Sequence, residues 1–156
     1  MQLERAIKQQ KPFPHPIHKL VVNIIYSQSW LSLRVDTVFK TTDVTSQQYN
    51  ILRILRGQYP NPATVNLLVE RMIDKMSNAS RLVDRLYAKG YVERIKNITD
   101  RRAVDVTITQ KGLNFLKEME IKLESLMEDI FDLTTAEAEQ LNELLDKMRG
   151  DEVVRN

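Results

Sequence analysis

Apolar residues recur every three or four positions along most of this chain, which is the spacing of amphipathic helices. The pattern predicts a long first helix over residues 15–40 and a second over residues 45–57. Thr45 or Ser46 can cap the second helix, because a short side-chain oxygen accepts from a free amide of the first turn, and Gly57 is expected to end it. The chain is therefore predicted to open with two consecutive helices.

A third helix is predicted after the turn sequence QYPNP. Asn61 can cap it, Pro62 suits its first position, and its apolar positions continue to Met72. The side chains expected to be buried are Val65, Leu68, Val69 and Met72.

The fourth predicted helix lies in SNASRLVDRLYAKG, where the sequence signals for both helix termini are clearest. Ser77 is a favourable N-cap, and Gly90 is a favourable residue just beyond the C-terminus. One apolar stripe follows the helical period: Ala79, Leu82, Val83, Leu86 and Tyr87. On the polar side, short side chains occupy the N-terminal end, and Arg81 and Arg85 stand four residues apart just behind them.

After this helix the apolar period changes to two, which is typical of β-strands. YVERI and AVDVTI form the two strands of a hairpin, with residues 96–102 as the loop between them. Thr109 can cap a long helix that follows, and Thr134 or Thr135 can cap a last one. The C-terminal part of the chain is therefore predicted to be helical again.

The order of these elements predicts a mainly α fold with a small β-hairpin wing. Two short helices joined by a tight link and followed by a hairpin describe a winged helix-turn-helix, here over residues 45–109. The long helices of residues 15–40 and 110–148 carry more apolar positions than a small core can cover, so we expect them to pair with a second copy. A chain of 156 residues is expected to be a single domain.

Composition excludes several kinds of protein. No cysteine is present, which excludes thiol catalysis, thiolate metal sites and disulfides. The N-terminus lacks the apolar segment of a signal peptide, and no apolar run is long enough to span a membrane, so we expect a soluble cytoplasmic protein. With four glycines, no glycine-rich phosphate loop and no nucleophile elbow, we expect no enzyme and no cofactor.

The charge distribution favours an anionic partner for the first two thirds of the chain. Basic residues outnumber acidic ones by eight to three in residues 1–59 and by ten to six in residues 60–112. Residues 113–156 reverse the balance, with five basic and twelve acidic residues. The acidic end would avoid an anion, although an acidic helix is often only a solvated surface.

The run LLVERMIDKMSNASRLVDRLYAKGYVERIKNITDRRAVDVTITQKG resembles the MarR family of bacterial transcription regulators. The resemblance lies in the recognition-helix pattern SRLVDRL, the following KGYVER, the wing sequence DRR and the helix start TQKG, and it extends weakly over residues 45–148. It implies a homodimeric regulator, a ligand-responsive repressor, that binds a pseudo-palindromic operator in double-stranded DNA.

Residue chemistry agrees with that expectation. A recognition helix enters the major groove by its N-terminus, where short side chains allow close approach and bond phosphates or base edges. Arginine can bond a phosphate or pair bidentately with guanine. The predicted contacts from this helix are Ser77, Asn78, Ser80, Arg81 and Arg85.

The wing supplies the second part of the predicted interface. Its tip carries Asp100, Arg101 and Arg102, and a narrow A·T-rich minor groove attracts arginine. The resemblance implies that Asp100 orients the loop through one arginine. We expect Arg101 to enter the groove and Arg102 to pair with Asp100 or bond a phosphate, with the opposite order and a purely structural ion pair as alternatives.

Other features have simpler alternatives. Tyr26, Trp30 and Tyr49 could bind a small effector, although aromatic residues at helical spacing are more often core. His15 and His18 have the spacing of a metal pair, but without cysteine or a third histidine we expect no metal. The rival function is a winged-helix protein-interaction module without DNA binding. Such a module need not keep arginines on both the recognition helix and the wing tip.

Overall fold

The computed structural model describes residues 2–97 and 104–150. Residues 1–123 form one compact unit and residues 124–156 a second. The elements in chain order are α1 Leu3–Ala6, α2 Pro16–Phe39, α3 Ser46–Gln58, β1 Ala63–Thr64, α4 Val65–Arg71, α5 Ala79–Ala88, β2 Val92–Lys96, β3 Val104–Ile108, α6 Gln110–Ile130 and α7 Thr135–Arg149. The fold is mainly helical with a small antiparallel sheet, as the sequence predicted.

Helix α3 begins where predicted and ends later. Thr45 is its N-cap and forms a capping box with Gln48, in which each side chain accepts from the other residue's backbone amide. Gly57 does not end the helix, contrary to the prediction, because it lies inside α3. The helix ends at Gln58, and Pro60 follows two residues later, where a helix could not continue.

The prediction for the start of the third helix was wrong. Residues Ala63–Thr64 form the strand β1, and Thr64 rather than Asn61 caps α4, with its Oγ1 accepting from the amide of Leu67 at 3.2 Å. Two residues are too few to show a strand period, so only the pairing with β3 reveals this element. Val69, which was expected to be buried, is 44% exposed.

The sheet has the strand order β1-β3-β2, and both pairings are antiparallel. Val92 pairs with Ile108 at one end of the β2–β3 ladder, and Lys96 pairs with Val104 at the other. Val106 and Ile108 point into the core, which confirms the predicted alternation in β3.

One core joins the helix-turn-helix, the sheet and the first half of α6. Its fully buried side chains include Ile51, Leu52, Leu55, Leu68, Val83, Leu86, Val106, Leu116 and Met119. This core fixes the orientation of α5 relative to the strands that follow it. Within the part of the chain that the structure describes, no helix is both long enough and apolar enough to cross a bilayer.

The start of α6 packs so closely against Tyr91 and Ile108 that the third residue of the helix, Gly112, must be small. A Cβ built on Gly112 would lie 2.5 Å from the carbonyl oxygen of Tyr91 and 2.6 Å from Cγ1 of Ile108. Thr109 caps this turn, because its Oγ1 accepts from the amide of Gly112 at 3.2 Å. Thr134 caps α7 through a capping box with Glu137, which resolves the predicted choice between Thr134 and Thr135.

Candidate nucleic-acid interface

Helix α5 corresponds to the predicted recognition helix, but its cap differs from the prediction. Asn78 is the N-cap, and its Oδ1 accepts from the amide of Arg81 at 3.0 Å. Ser77 was predicted to do this. Its hydroxyl instead donates to Oδ2 of Asp74 at 2.7 Å, so it belongs to the preceding turn.

Gly90 ends α5 as the sequence predicted. It lies at φ +75°, a left-handed conformation that glycine adopts without a Cβ penalty. The amide of Gly90 donates to the carbonyl of Tyr87 at 2.9 Å, and the amide of Tyr91 donates to the carbonyl of Leu86 at 3.0 Å. These two bonds form a Schellman motif, which turns the chain sharply from the helix into β2.

The buried side of α5 is narrower than predicted. Ala79, Val83 and Leu86 are buried, and Leu82 is partly buried against the core. Tyr87 was expected to be buried but is 48% exposed, although the guanidinium of Arg94 on β2 lies over its ring, 4.4 Å from the centroid. A wide face of α5 therefore remains at the surface.

That surface carries the predicted basic side chains. Ser80, Arg81 and Arg85 are exposed. Asp84 is the carboxylate closest to them in sequence, but it accepts from Nη1 of Arg94 instead. Among the described residues, no hydrogen bond or ion pair engages the guanidinium of either Arg81 or Arg85.

The link between α4 and α5 is held by side chains that sequence reasoning did not identify. Oδ1 of Asn50 on α3 accepts from the amide of Ile73 at 3.0 Å. Oδ1 of Asp74 accepts from the amide of Met76 at 3.0 Å, in addition to the bond from Ser77. These bonds lower the pKa of Asp74 below its ordinary value, the Ser77 hydroxyl contributing most. No pattern in the sequence marks Asn50, since its partner lies 23 residues away.

A second set of contacts ties the end of α5 to α6 and to the loop after α2. The hydroxyl of Tyr91 donates to Oδ1 of Asp43 at 2.9 Å, and burial with this contact raises the pKa of Tyr91 to about 12. Nζ of Lys111 donates to the carbonyl of Lys89 at 2.6 Å and lies 4.4 Å from the centre of the Tyr91 ring. The hydroxyl of Thr109 donates to the carbonyl of Gly90 at 2.8 Å. The C-terminal end of α5 is thus fixed to the start of α6.

A side-chain contact stabilises the end of the β2–β3 ladder. Nδ2 of Asn97 donates to both carboxylate oxygens of Asp105, at 2.9 and 3.1 Å. The predicted contacts at the wing tip, Asp100, Arg101 and Arg102, lie outside the described residues.

The residues considered for an effector lie in two different surroundings. Tyr26 and Trp30 are half-buried on α2, and the guanidinium of Arg34 lies 4.0 Å from the Trp30 ring centroid. Tyr49 is buried, with its ring centroid 5.4 Å from that of Phe39. Tyr49 therefore contributes to the core at the start of α3.

The two histidines lie at the start of α2. His15 is the N-cap, and its Nδ1 accepts from the amide of Ile17 at 3.2 Å. The ring of His18 lies 6.0 Å from it, centroid to centroid. Within the described residues, no group of three or more histidine, cysteine, aspartate or glutamate side chains could hold a metal ion.

Known proteins place these features in a family. Residues 44–104 match the model of the MarR family. The transcriptional repressor MprA of Escherichia coli K12 is 25% identical over 160 residues, covering 97% of this chain and 91% of the repressor. A MarR-like transcription regulator from Bacillus cereus superposes with a TM-score of 0.74 at 25% identity, over 85% of this chain and 94% of that one. A MarR transcription factor from Planctomyces limnophilus gives 0.66 at 27% identity, over 88% and 98%.

The helix-turn-helix, the antiparallel sheet and the exposed basic face of α5 define a winged helix-turn-helix protein of the transcription-regulator class. The family to which residues 44–104 are similar is therefore the MarR family of transcription regulators, as the sequence pattern indicated. The proteins it matches are regulators rather than enzymes.

Proposed function

We propose that this chain is a homodimeric, sequence-specific repressor that binds a pseudo-palindromic operator through α5 and the wing. The observation that carries the proposal is the pairing of Asp84 with Arg94. Because this carboxylate is occupied by an arginine from β2, Arg81 and Arg85 keep their guanidinium groups exposed on α5. Exposed arginines beside short polar side chains suit phosphate oxygens and guanine edges.

The proposed contacts from α5 are Ser77, Asn78, Ser80, Arg81 and Arg85, and those from the wing are Asp100, Arg101 and Arg102. Asn78 caps the backbone of α5, and Ser77 bonds Asp74 in the turn before it, so both would contribute through the ordered start of the helix. Arg101 would enter the minor groove next to the site of α5. The winged helix-turn-helix region would comprise residues 45–109.

Dimerisation would use the helices of residues 15–40 and 110–148. Large apolar side chains are exposed along α2: Ile17, Leu20, Val21, Ile25 and Leu33. A second such row lies on α7: Leu141, Leu144 and Met148. A second copy would cover apolar surface of this kind and place two copies of α5 on half-sites about 10 base pairs apart or a multiple of this. Such a repressor would act in the cytoplasm, where bacterial DNA is.

An effector would act by favouring a dimer whose two recognition helices no longer match the half-site spacing. The aromatic side chains proposed to contact it are Tyr26 and Trp30, which are half-buried on α2, and Tyr49, which is buried at the start of α3. The MprA similarity supports repression over activation, since that relative is named a repressor.

The test compares DNA binding of Arg81→Ala, Arg85→Ala and Arg101→Ala with that of the unmodified chain. Each substitution should weaken binding to a selected operator by about tenfold or more, as for the loss of one good base or phosphate contact. Arg149→Ala on α7 removes the same charge from the acidic end and should leave affinity unchanged. Affinities equal to that of the unmodified chain for all three variants would contradict the proposal and favour a protein-interaction module.

A further inference from the structure

Two large apolar side chains protrude from the link between α4 and α5. Ile73 is 86% exposed and Met76 is 93% exposed, the highest values among the large hydrophobic residues that the structure describes. A single exposed apolar side chain is common on protein surfaces. Two in one short link, directly before the recognition helix, require a more specific explanation.

The exposure does not come from a loosely held loop. The amide of Ile73 is bonded to Asn50 at 3.0 Å, and the amide of Met76 is bonded to Asp74 at 3.0 Å. Met72, four residues before Met76, is buried in the core. The link is therefore held in place. The backbone amides of both Ile73 and Met76 are hydrogen-bonded, while their side chains are exposed.

Met76 stands beside the polar end of α5. It lies two residues before the N-cap Asn78, on the same end of the helix as Ser77 and Ser80. In the proposed complex this end approaches the major groove. The major groove offers one apolar group, the 5-methyl of thymine, which apolar side chains recognise. Thioether side chains are unbranched and adapt to such a surface.

We propose that Met76, flanked by Ile73, reads thymine methyl groups in the major groove next to the bases contacted by α5. The inference rests on the proposed DNA-binding function and adds a specificity-determining contact to it. A docked protein is a poorer explanation, because two side chains offer far less than the roughly 800 Å² per partner that stable protein interfaces bury. Phosphates cannot be the target, since neither side chain can donate a hydrogen bond.

The experiment removes the methyl group from the DNA rather than from the protein. An operator is selected from a random duplex library by the full chain, and each thymine in it is replaced singly by deoxyuridine. The unmodified chain should lose about fourfold in affinity for each contacted methyl group removed, the factor expected for one buried methyl. Met76→Ala should show a similar loss on the thymine operator and no further loss when the same position carries deoxyuridine.

Val69→Ala on α4 is the matched control, because it also shortens a partly exposed apolar side chain outside the link. The Val69→Ala variant should lose as much affinity as the unmodified chain when thymine is replaced by deoxyuridine. Met76→Ala should also keep the melting temperature of the unmodified chain, since its side chain is exposed.

The outcomes distinguish failure of the proposed methyl contact from failure of the proposed DNA-binding function. Tight operator binding that is insensitive to every deoxyuridine overturns the methyl contact and leaves the DNA-binding proposal standing. The same holds if Met76→Ala weakens binding equally on thymine and deoxyuridine duplexes, because the side chain would then act only on the structure of the link. Failure of the unmodified chain to bind any duplex overturns the proposed function itself.

Discussion

Asp84 on α5 accepts a hydrogen bond from Arg94 on β2, and Arg94 also covers the ring of Tyr87 on that helix. One arginine from the wing strand thus contacts two consecutive turns of the outer side of α5. An exposed ion pair of this kind stabilises a fold by about 1 kcal/mol at most. Its larger consequence is electrostatic, because it neutralises the one carboxylate that stands between Arg81 and Arg85 in sequence.

Arg94→Ala should weaken DNA binding although Arg94 itself need not touch DNA. The substitution frees the Asp84 carboxylate, which would then repel phosphates and attract Arg81 or Arg85. We expect a loss of several-fold at low salt that diminishes as salt is added, since screening reduces both effects. Anisotropy titration of labelled operator measures it.

A second substitution distinguishes this explanation from a direct contact. Asp84→Ala in the Arg94→Ala background removes the freed carboxylate and should restore most of the affinity. Absence of any rescue would mean that Arg94 contributes by touching DNA or by holding β2, and not by neutralising Asp84.

Gly112→Ala should destabilise the chain by about 1–3 kcal/mol, the usual cost of overpacking a closely packed site. The added Cβ would meet the carbonyl oxygen of Tyr91 at 2.5 Å, and a backbone atom cannot move aside as a flexible side chain can. Gly57→Ala is the matched control inside α3, where an added Cβ meets nothing within 4 Å. It should raise stability by about 0.5–1 kcal/mol through helix propensity. Urea unfolding curves compare the two, and equal effects would contradict the packing at Gly112.

Ser77→Ala should raise the pKa of Asp74 towards its ordinary value of 3.8, because the Ser77 hydroxyl is the main cause of the lowering. A carboxyl with a lowered pKa stabilises the folded turn above its unfolded pKa, and this contribution is lost as pH falls through the folded value. In the unmodified chain, the stabilisation that the Asp74 carboxylate gives this turn should therefore be lost only at pH values below 3.8. Carboxyl ¹³C shifts of Asp74 followed against pH report this pKa. An unchanged titration in Ser77→Ala would exclude the serine as its cause.

Ile25→Glu should reduce the mass measured by light scattering from a dimer towards a single chain. Ile25 is one of the exposed apolar side chains of α2, and a buried unpaired carboxylate at an interface is costly. Asn23→Glu adds the same charge at an exposed polar position of the same helix and should leave the mass unchanged. A chain that remains dimeric with Glu at position 25 would place the interface elsewhere.

Periodicity was sufficient to predict the long helices and the hairpin, because their apolar positions repeat over several turns or alternations. It failed at β1, where two residues carry no period and the pairing with Val106 decides the structure. It also misplaced the end of α3, because glycine is tolerated near a helix terminus and Pro60 determines where the helix stops.

The candidate interface could be predicted in its residue types but not in its internal contacts. Arg81 and Arg85 stand out from sequence because a helical stripe leaves them on the polar side. The pairing of Asp84 with Arg94 rather than with either of them could not be predicted, because that contact spans ten residues and two elements. The N-cap of α5 could not be predicted for a similar reason. Ser77 and Asn78 are both good N-cap residues, and Asn78 takes the role because the Ser77 hydroxyl bonds Asp74.

The most direct measurement is fluorescence anisotropy of the full chain on random-sequence duplex DNA over a salt series, with light scattering on the same samples. We expect a dimer that binds DNA at low salt, with an affinity that falls steeply and linearly on logarithmic axes as salt rises, since each neutralised phosphate releases counterions. Arg85→Ala should shift the curve and reduce its slope by about one. A well-folded dimer with no affinity for DNA at low salt would contradict the proposed function.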